Sequence, residues 1–184
     1  TQVMSGMVGA ALHPDVRHAL VVGLGMGSTA GWLGTLPAVE RVDVAELEAA
    51  VLGVARDCAP VNRGVLANTK VHIKIGDARE LLLTTRQRYD LVFSEPSNPY
   101  RAGISSLFTQ DFYRAVRDRL KPGGIFVQWL QAYEVDPEIV RGEDPEQHRA
   151  QAVGRRRLRL DGLERPHLDH RLIAIDLVDR GRDG

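Results

Sequence analysis

Short, strongly apolar runs recur along the chain from His18 to Leu130, each followed by a stretch of helical length. "ALVVG" (19–23) is an apolar run closed by glycine, the pattern of a strand buried on both faces of a parallel sheet. A glycine-rich turn follows, then a helix-length stretch ending near Pro37. "RVDVAEL" (41–47) predicts a second strand and "EAAVLGVARDCA" (48–59) a helix. "KVHIKIG" (70–76) alternates as a strand does, "DARELLL" (77–83) predicts a short helix, and "YDLVFSE" (89–95) predicts a fourth strand. Beyond a long loop, "TQDFYRAVRDRL" (109–120) has amphipathic helical spacing and is stopped by "KPGG". "IFVQWL" (125–130) predicts a fifth strand. Repeated strand–helix–strand units predict a doubly wound α/β fold with a mostly parallel sheet. In such sheets ligands sit outside the carboxyl ends of the strands. The Gly23 turn, Glu46, Asp77 and Glu95 each end or follow a strand, so they share one rim.

This organisation divides the chain into an N-terminal remnant or linker (1–14), an α/β domain that carries the rim (15–138), expected on the residues discussed below to be the nucleoside-binding catalytic domain, and a divergent tail (139–184). From 141 onward there is no lysine and no aromatic residue, arginine and aspartate abound, and three of the six histidines occur. "GRRRLRL" (154–160) is offset by nearby acids, and "HLDH" (167–170) lacks the further ligands that a metal site needs. "RLIAIDLV" (171–178) has the pattern of a late strand. The abrupt change of character suggests a variable tail or a slip of reading frame, and no function is placed there.

Composition narrows the function classes. With 24 basic and 24 acidic residues among 184, the formal net charge is zero, so no global field attracts nucleic acid or an anionic membrane. The single cysteine, Cys58, excludes an internal disulfide and fits a reducing, cytoplasmic setting. No apolar run approaches the ~18 residues of a membrane span, and no charged-then-apolar leader is present. The chain starts without an initiator methionine, as a fragment of a longer protein would.

Candidate chemistry lies on the predicted rim. "GLGMGS" (23–28) places Gly23, Gly25 and Gly27 between a strand and a helix, where glycine permits a tight turn and close approach of a ligand. A dinucleotide fingerprint would need glycine at the place of Ser28, which counts against a dinucleotide oxidoreductase. The earlier third glycine is the spacing usual in nucleoside-sulfonium binders. Glu46 ends the second strand, where a carboxylate can accept both ribose hydroxyls. Asp77 in "GDAR" can accept from an adenine amino group, or simply cap the following helix. Glu95, in "SEPSNP" (94–99), is the reaction candidate: it would orient an incoming amine and take up its proton. The alternative is a turn acid bonded to its own loop. Asn98, Tyr100, Gln128 and Gln131 could line the same cleft, though amide and aromatic residues there are as often structural.

Residues from about His13 to Val135 resemble the spermidine/spermine synthase family, with its class I methyltransferase fold. The resemblance is carried, in order, by "VVGLGMGSTAGWL", "VERVDVAELEAAVLGVAR", "VHIKIGDARELL", "RYDLVFSEPSNP" and "LFTQDFYRAVRDRLKPGGIFVQW". It implies that Gly23, Gly25 and Gly27 cradle a nucleoside, that Glu46 holds its ribose, and that Asp77 with Ala78 holds its adenine. It also implies decarboxylated S-adenosylmethionine or S-adenosylmethionine as co-substrate, no metal, and a small-molecule amine as the other substrate. Relatives are often dimers or tetramers, so a homo-oligomer is the expectation by analogy. The departures matter. The family typically has G-G-G-D-G-G, and the aspartate's place is taken by Met26. It also typically has D-[ST]-x-D-P, and here Glu95 and Asn98 stand where it puts acids. Losing acids weakens recognition of a polycation.

The expected activity is aminopropyl transfer from decarboxylated S-adenosylmethionine to a polyamine or related amine. The rivals are S-adenosylmethionine-dependent methyl transfer, which Met26 favours, and a catalytically inactive nucleoside-binding fragment of a larger protein.

Overall fold

A computed structural model describes residues 2–96, 103–129 and 171–175, the last of these as backbone only. Asn98, Tyr100, Gln131 and the tail motifs at 154–160 and 167–170 lie outside the described residues. The elements run α1 (Gln2–Leu12), β1 (His18–Val22), α2 (Ser28–Leu33), β2 (Arg41–Glu46), α3 (Val51–Asp57), β3 (Val71–Ile75), α4 (Ala78–Thr84), β4 (Tyr89–Ser94), α5 (Gln110–Arg119), β5 (Leu120–Trp129) and β6 (Arg171–Ile175). Short 3-10 turns occupy Val65–Ala67 and Ser105–Phe108.

The six strands form one sheet in the order β3-β2-β1-β4-β5-β6, and every pairing is parallel. The doubly wound α/β reading therefore holds. Strand order reverses between β1 and β4, and their carboxyl ends flank the crevice where such sheets bind ligands. Continuous apolar runs are explained by cover on both faces. Ala19 and Val21 of β1 join Leu91, Phe93, Ile125 and Val127 in a core that includes Ala30 and Leu33 of α2 and Ala55 of α3. Leu20 and Val22 turn the other way, toward Leu82 of α4 and Phe112 and Val116 of α5. Each such fully buried side chain contributes about 1.5–3 kcal/mol through apolar burial.

The structure differs from the sequence reading in three places. The segment expected as a remnant or linker holds α1, which lies on α2 and on the sheet. Its contact is made through small residues: a Cβ on Gly6 would meet Thr29 Cγ2 at 2.9 Å, and one on Gly9 would meet Leu91 Cδ1 at 3.1 Å. Next, α3 begins at Val51 rather than 48, because the preceding residues make tighter turn bonds three residues apart, Val51 N–H to Glu48 O (3.1 Å) and Leu52 N–H to Ala49 O (3.1 Å). Finally, β5 begins before "KPGG": Tyr89 pairs with Leu120 and Leu91 with Ile125, so Lys121–Gly124 bulge out of the ladder. A bulge tolerates Pro122, which has no N–H to give. The late strand expected at 171–178 is observed as β6, over Arg171–Ile175.

Candidate active site

All strands point the same way, so the residues after their carboxyl ends converge on one edge. Three backbone bonds stitch that edge together. Gly23 N–H donates to Ala45 O (2.8 Å), Gly76 N–H to Glu46 O (2.8 Å) and Glu95 N–H to Val22 O (3.3 Å). The tips of β3, β2, β1 and β4 thus stand side by side, bringing together the Gly23 turn, Glu46, the Asp77 region and Glu95. The turn itself runs through left-handed backbone at Gly23 (φ 91°), Gly25 (φ 53°) and Gly27 (φ 84°), a conformation that glycine adopts without steric cost. Met26 at its crest is 41 % exposed.

Glu46 is buried at the tip of β2 and bound to the backbone on both sides. Its Oε2 accepts from Leu24 N–H (2.7 Å) inside the glycine turn, and its Oε1 accepts from Glu48 N–H (2.9 Å). An ionised carboxylate has about four acceptor positions. Two are used here, which leaves acceptor capacity for the two hydroxyls of a ribose.

Asp77 is the N-cap of α4: its side chain accepts from Arg79 N–H, and both its oxygens also meet the Arg79 guanidinium. The Arg79 hydrogen bond, with the Arg79 N–H and charge, holds the Asp77 carboxyl below the ordinary carboxylate range against the opposing effect of desolvation. The capping alternative raised from the sequence is therefore the arrangement seen. Ala78, the next residue, is buried.

Glu95, one residue beyond β4, is half-buried. Burial pushes its carboxyl above the usual range, and a hydrogen bond from Thr29 Oγ1 to its Oε2 (3.1 Å) works in the opposite direction. Gln128, its register neighbour's partner on β5, is buried with its amide fixed. Its Oε1 accepts from the Tyr113 hydroxyl (2.8 Å) and its Nε2 donates to Leu107 O (3.0 Å), so it ties α5 and the 105–108 turn to the sheet. The second N–H of that amide has no partner among the described residues. Desolvation raises the Tyr113 hydroxyl well above its ordinary pKa, so it remains a protonated donor.

Three residues in or beside the site were not singled out from the sequence. Thr29 lies in the first turn of α2, and nothing local in the sequence signals that its hydroxyl reaches a residue 66 positions away. Asn62 in "PVNRG" is fully buried against the glycine turn, and its local sequence gives no sign of that. Ser94 read as the end of a strand; it is fully buried, and its Oγ has no hydrogen-bond partner among the described residues.

Comparison with known proteins follows this geometry. The spermine/spermidine synthase domain model matches residues 2–151. A polyamine aminopropyltransferase from Nitrosomonas europaea is 40% identical over 124 residues, covering 67% of this chain and 38% of that protein. One from Lachnospira eligens is 32% identical over 117 residues, covering 64% of this chain and 41% of that protein. The chain therefore spans about two fifths of the length of these curated relatives. Among solved structures, a spermidine synthase in complex with the transition state analogue AdoDATO superposes with TM-score 0.63 at 26% identity, covering 68% of this chain and 43% of that one. The spermidine synthase from Thermotoga maritima gives 0.57 at 26% identity, covering 68% and 40%. Human methyltransferase-like protein 13, at 22% identity and TM-score 0.55, covering 67% of this chain and 62% of its own, shares the fold. The parallel sheet, the glycine turn ahead of a buried strand-tip glutamate, and a family match over most of the chain agree: this chain belongs to the spermine/spermidine synthase domain family.

Proposed function

We propose that the chain binds decarboxylated S-adenosylmethionine along the β3–β2–β1 tips and transfers its aminopropyl group to an amine held beside β4. The observation that carries this reading is the placement of two acidic side chains on either side of β1. Glu46 has acceptor capacity left after serving two backbone N–H groups, and Glu95 has a single described hydroxyl partner in partly desolvated surroundings. Relatives that act on polyamines match this stretch of chain, which supports aminopropyl transfer over the rivals.

The chemistry asks for alignment more than for covalent help. The amine nitrogen forms a bond to the carbon next to the sulfonium, the carbon–sulfur bond breaks, and its electron pair stays on sulfur as a neutral thioether. The chain's tasks are to hold donor and acceptor in line and to exclude water. Glu46 fixes the ribose and so the position of the sulfonium. Glu95 accepts a hydrogen bond from the amine and takes the proton that the nitrogen sheds. Thr29 holds the Glu95 carboxylate in place through its hydroxyl. Methyl transfer remains the second reading because Met26 presents an exposed, uncharged side chain on the turn.

Calorimetry with both nucleosides, then mass spectrometry with putrescine, tests this. Micromolar binding of the decarboxylated form and appearance of the aminopropylated amine are expected. Failure of both nucleosides to bind would sink the reading, and strong preference for S-adenosylmethionine would hand it to methyl transfer. Among the described residues no helix is long and apolar enough to cross a membrane.

A further inference from the structure

Asn62 lies in the loop between α3 and β3, and its whole side-chain amide is committed. Nδ2 donates to Met26 O (2.7 Å) and to Ala55 O (2.6 Å), and Oδ1 accepts from Val65 N–H (3.2 Å). Met26 is the crest of the glycine turn, 36 positions away in sequence. The two segments close on each other without spare room. A Cβ on Gly31 of α2 would collide with the Asn62 carbonyl oxygen, and one on Gly27 would meet Val65 Cγ1 at 2.6 Å and Asn62 Nδ2 at 3.2 Å. Trp32 adds a second tie, its Nε1 donating to Val61 O (3.1 Å), and the Arg63 guanidinium stacks 4.0 Å from its ring centre. A turn passing through three left-handed glycines has many backbone conformations open to it. A buried donor on its crest carbonyl removes most of them, since breaking that bond would leave one desolvated amide N–H without a partner.

We propose that Asn62 is a positioning residue that presets the Gly23–Gly27 turn for the nucleoside. This rests on the nucleoside-binding reading above. It acts through Met26 O and touches no reacting atom. The surrounding elements carry Arg56, Asp57 and Cys58 at the end of α3 and Arg63 beside it; the turn and α2 carry no titratable side chain.

The test uses the full chain with Asn62→Asp and Asn62→Leu. At about pH 8 the aspartate variant offers no donor and faces two carbonyls, so its affinity for the nucleoside should drop at least about tenfold. Toward about pH 5 the buried carboxyl protonates, regains one O–H donor and should recover severalfold relative to wild type at each pH. Asn62→Leu should lose affinity at every pH. Hydrogen exchange at Gly27 N–H, which bonds to Leu24 O (2.8 Å), should quicken in both variants without ligand. If wild type binds but Asn62→Asp binds as well as wild type at both pH values, the inference is overturned while the nucleoside reading stands. If wild type binds neither nucleoside, both fall together.

Discussion

Glu46 and Glu95 are the same residue type at the tips of the two strands that flank β1, and the chain treats them oppositely. On the β2 side the carboxylate accepts two backbone N–H groups, at 2.7 and 2.9 Å, one of them from the glycine turn it faces. On the β4 side the carboxylate meets one hydroxyl at 3.1 Å, and desolvation lifts its pKa. The first environment suits an acceptor held in one place by two backbone donors. The second suits a group that must hold a proton at one moment and release it at another. The half of the site proposed for the nucleoside is therefore preset by the backbone, and in the half proposed for the amine the one partner of the carboxylate among the described residues is a side chain.

The largest effect that would break this contrast is on turnover. Glu95→Gln should lower kcat by about 10²–10⁴-fold, the usual worth of a positioned general base, with nucleoside affinity spared. Unchanged turnover by mass spectrometry would return Glu95 to the role of a turn acid. Glu46→Ala should do the reverse, weakening the nucleoside in calorimetry before it slows chemistry. It also strands the N–H groups of Leu24 and Glu48, so a stability loss of about 1–3 kcal/mol is expected in denaturant melts.

The pH dependence sharpens the contrast further. Because burial raises Glu95 in the folded state, that state binds more protons than the unfolded chain between the two pKa values. Its contribution to stability is therefore most favourable below the ordinary carboxylate range and declines as pH rises through the raised value. Glu95→Gln should remove that decline from the stability profile, while a profile identical to wild type would refute the burial argument. Thr29→Val removes the hydroxyl that opposes the shift, so the acid limb of kcat against pH should move to higher pH. Thr29→Ser, which restores the hydroxyl, should bring it back. The smallest effect concerns Ser94, whose Oγ is buried without a partner among the described residues. Ser94→Ala should cost nothing and gain up to about 1 kcal/mol in thermal unfolding, unless the hydroxyl serves a bound amine, in which case KM for the amine would rise.

Several features were legible in the chain itself. The strands β1 and β4 fall where apolar runs end at Gly23 and Glu95, because a strand covered on both faces must be largely apolar, and β3 shows instead the alternation of a half-exposed strand. What escaped notice has a common cause. In α1 there is no charged residue between Gln2 and Leu12, and its contacts run through Gly6 and Gly9, so no polar face announces it. The "KPGG" stretch reads as a stop, and only the Tyr89–Leu120 pairing shows that β5 has already begun. Asp77 was open to two readings because "GDARE" suits both a cap and an adenine contact, and the Arg79 side chain that occupies both its oxygens is set by folded geometry.

The sequence by itself determined the order of strands and helices and the rim on which candidate residues gather. Those follow from periodicity and from the rule that parallel strands end on one edge. Only the tertiary structure decided that Glu46 is tied by backbone N–H groups and that burial raises Glu95. Hydrogen bonds such as Leu24–Glu46, Thr29–Glu95 and Asn62–Met26 join residues 22, 66 and 36 positions apart. Their partners, their burial and hence their proton affinity come into being when the sheet closes, and no local pattern encodes them.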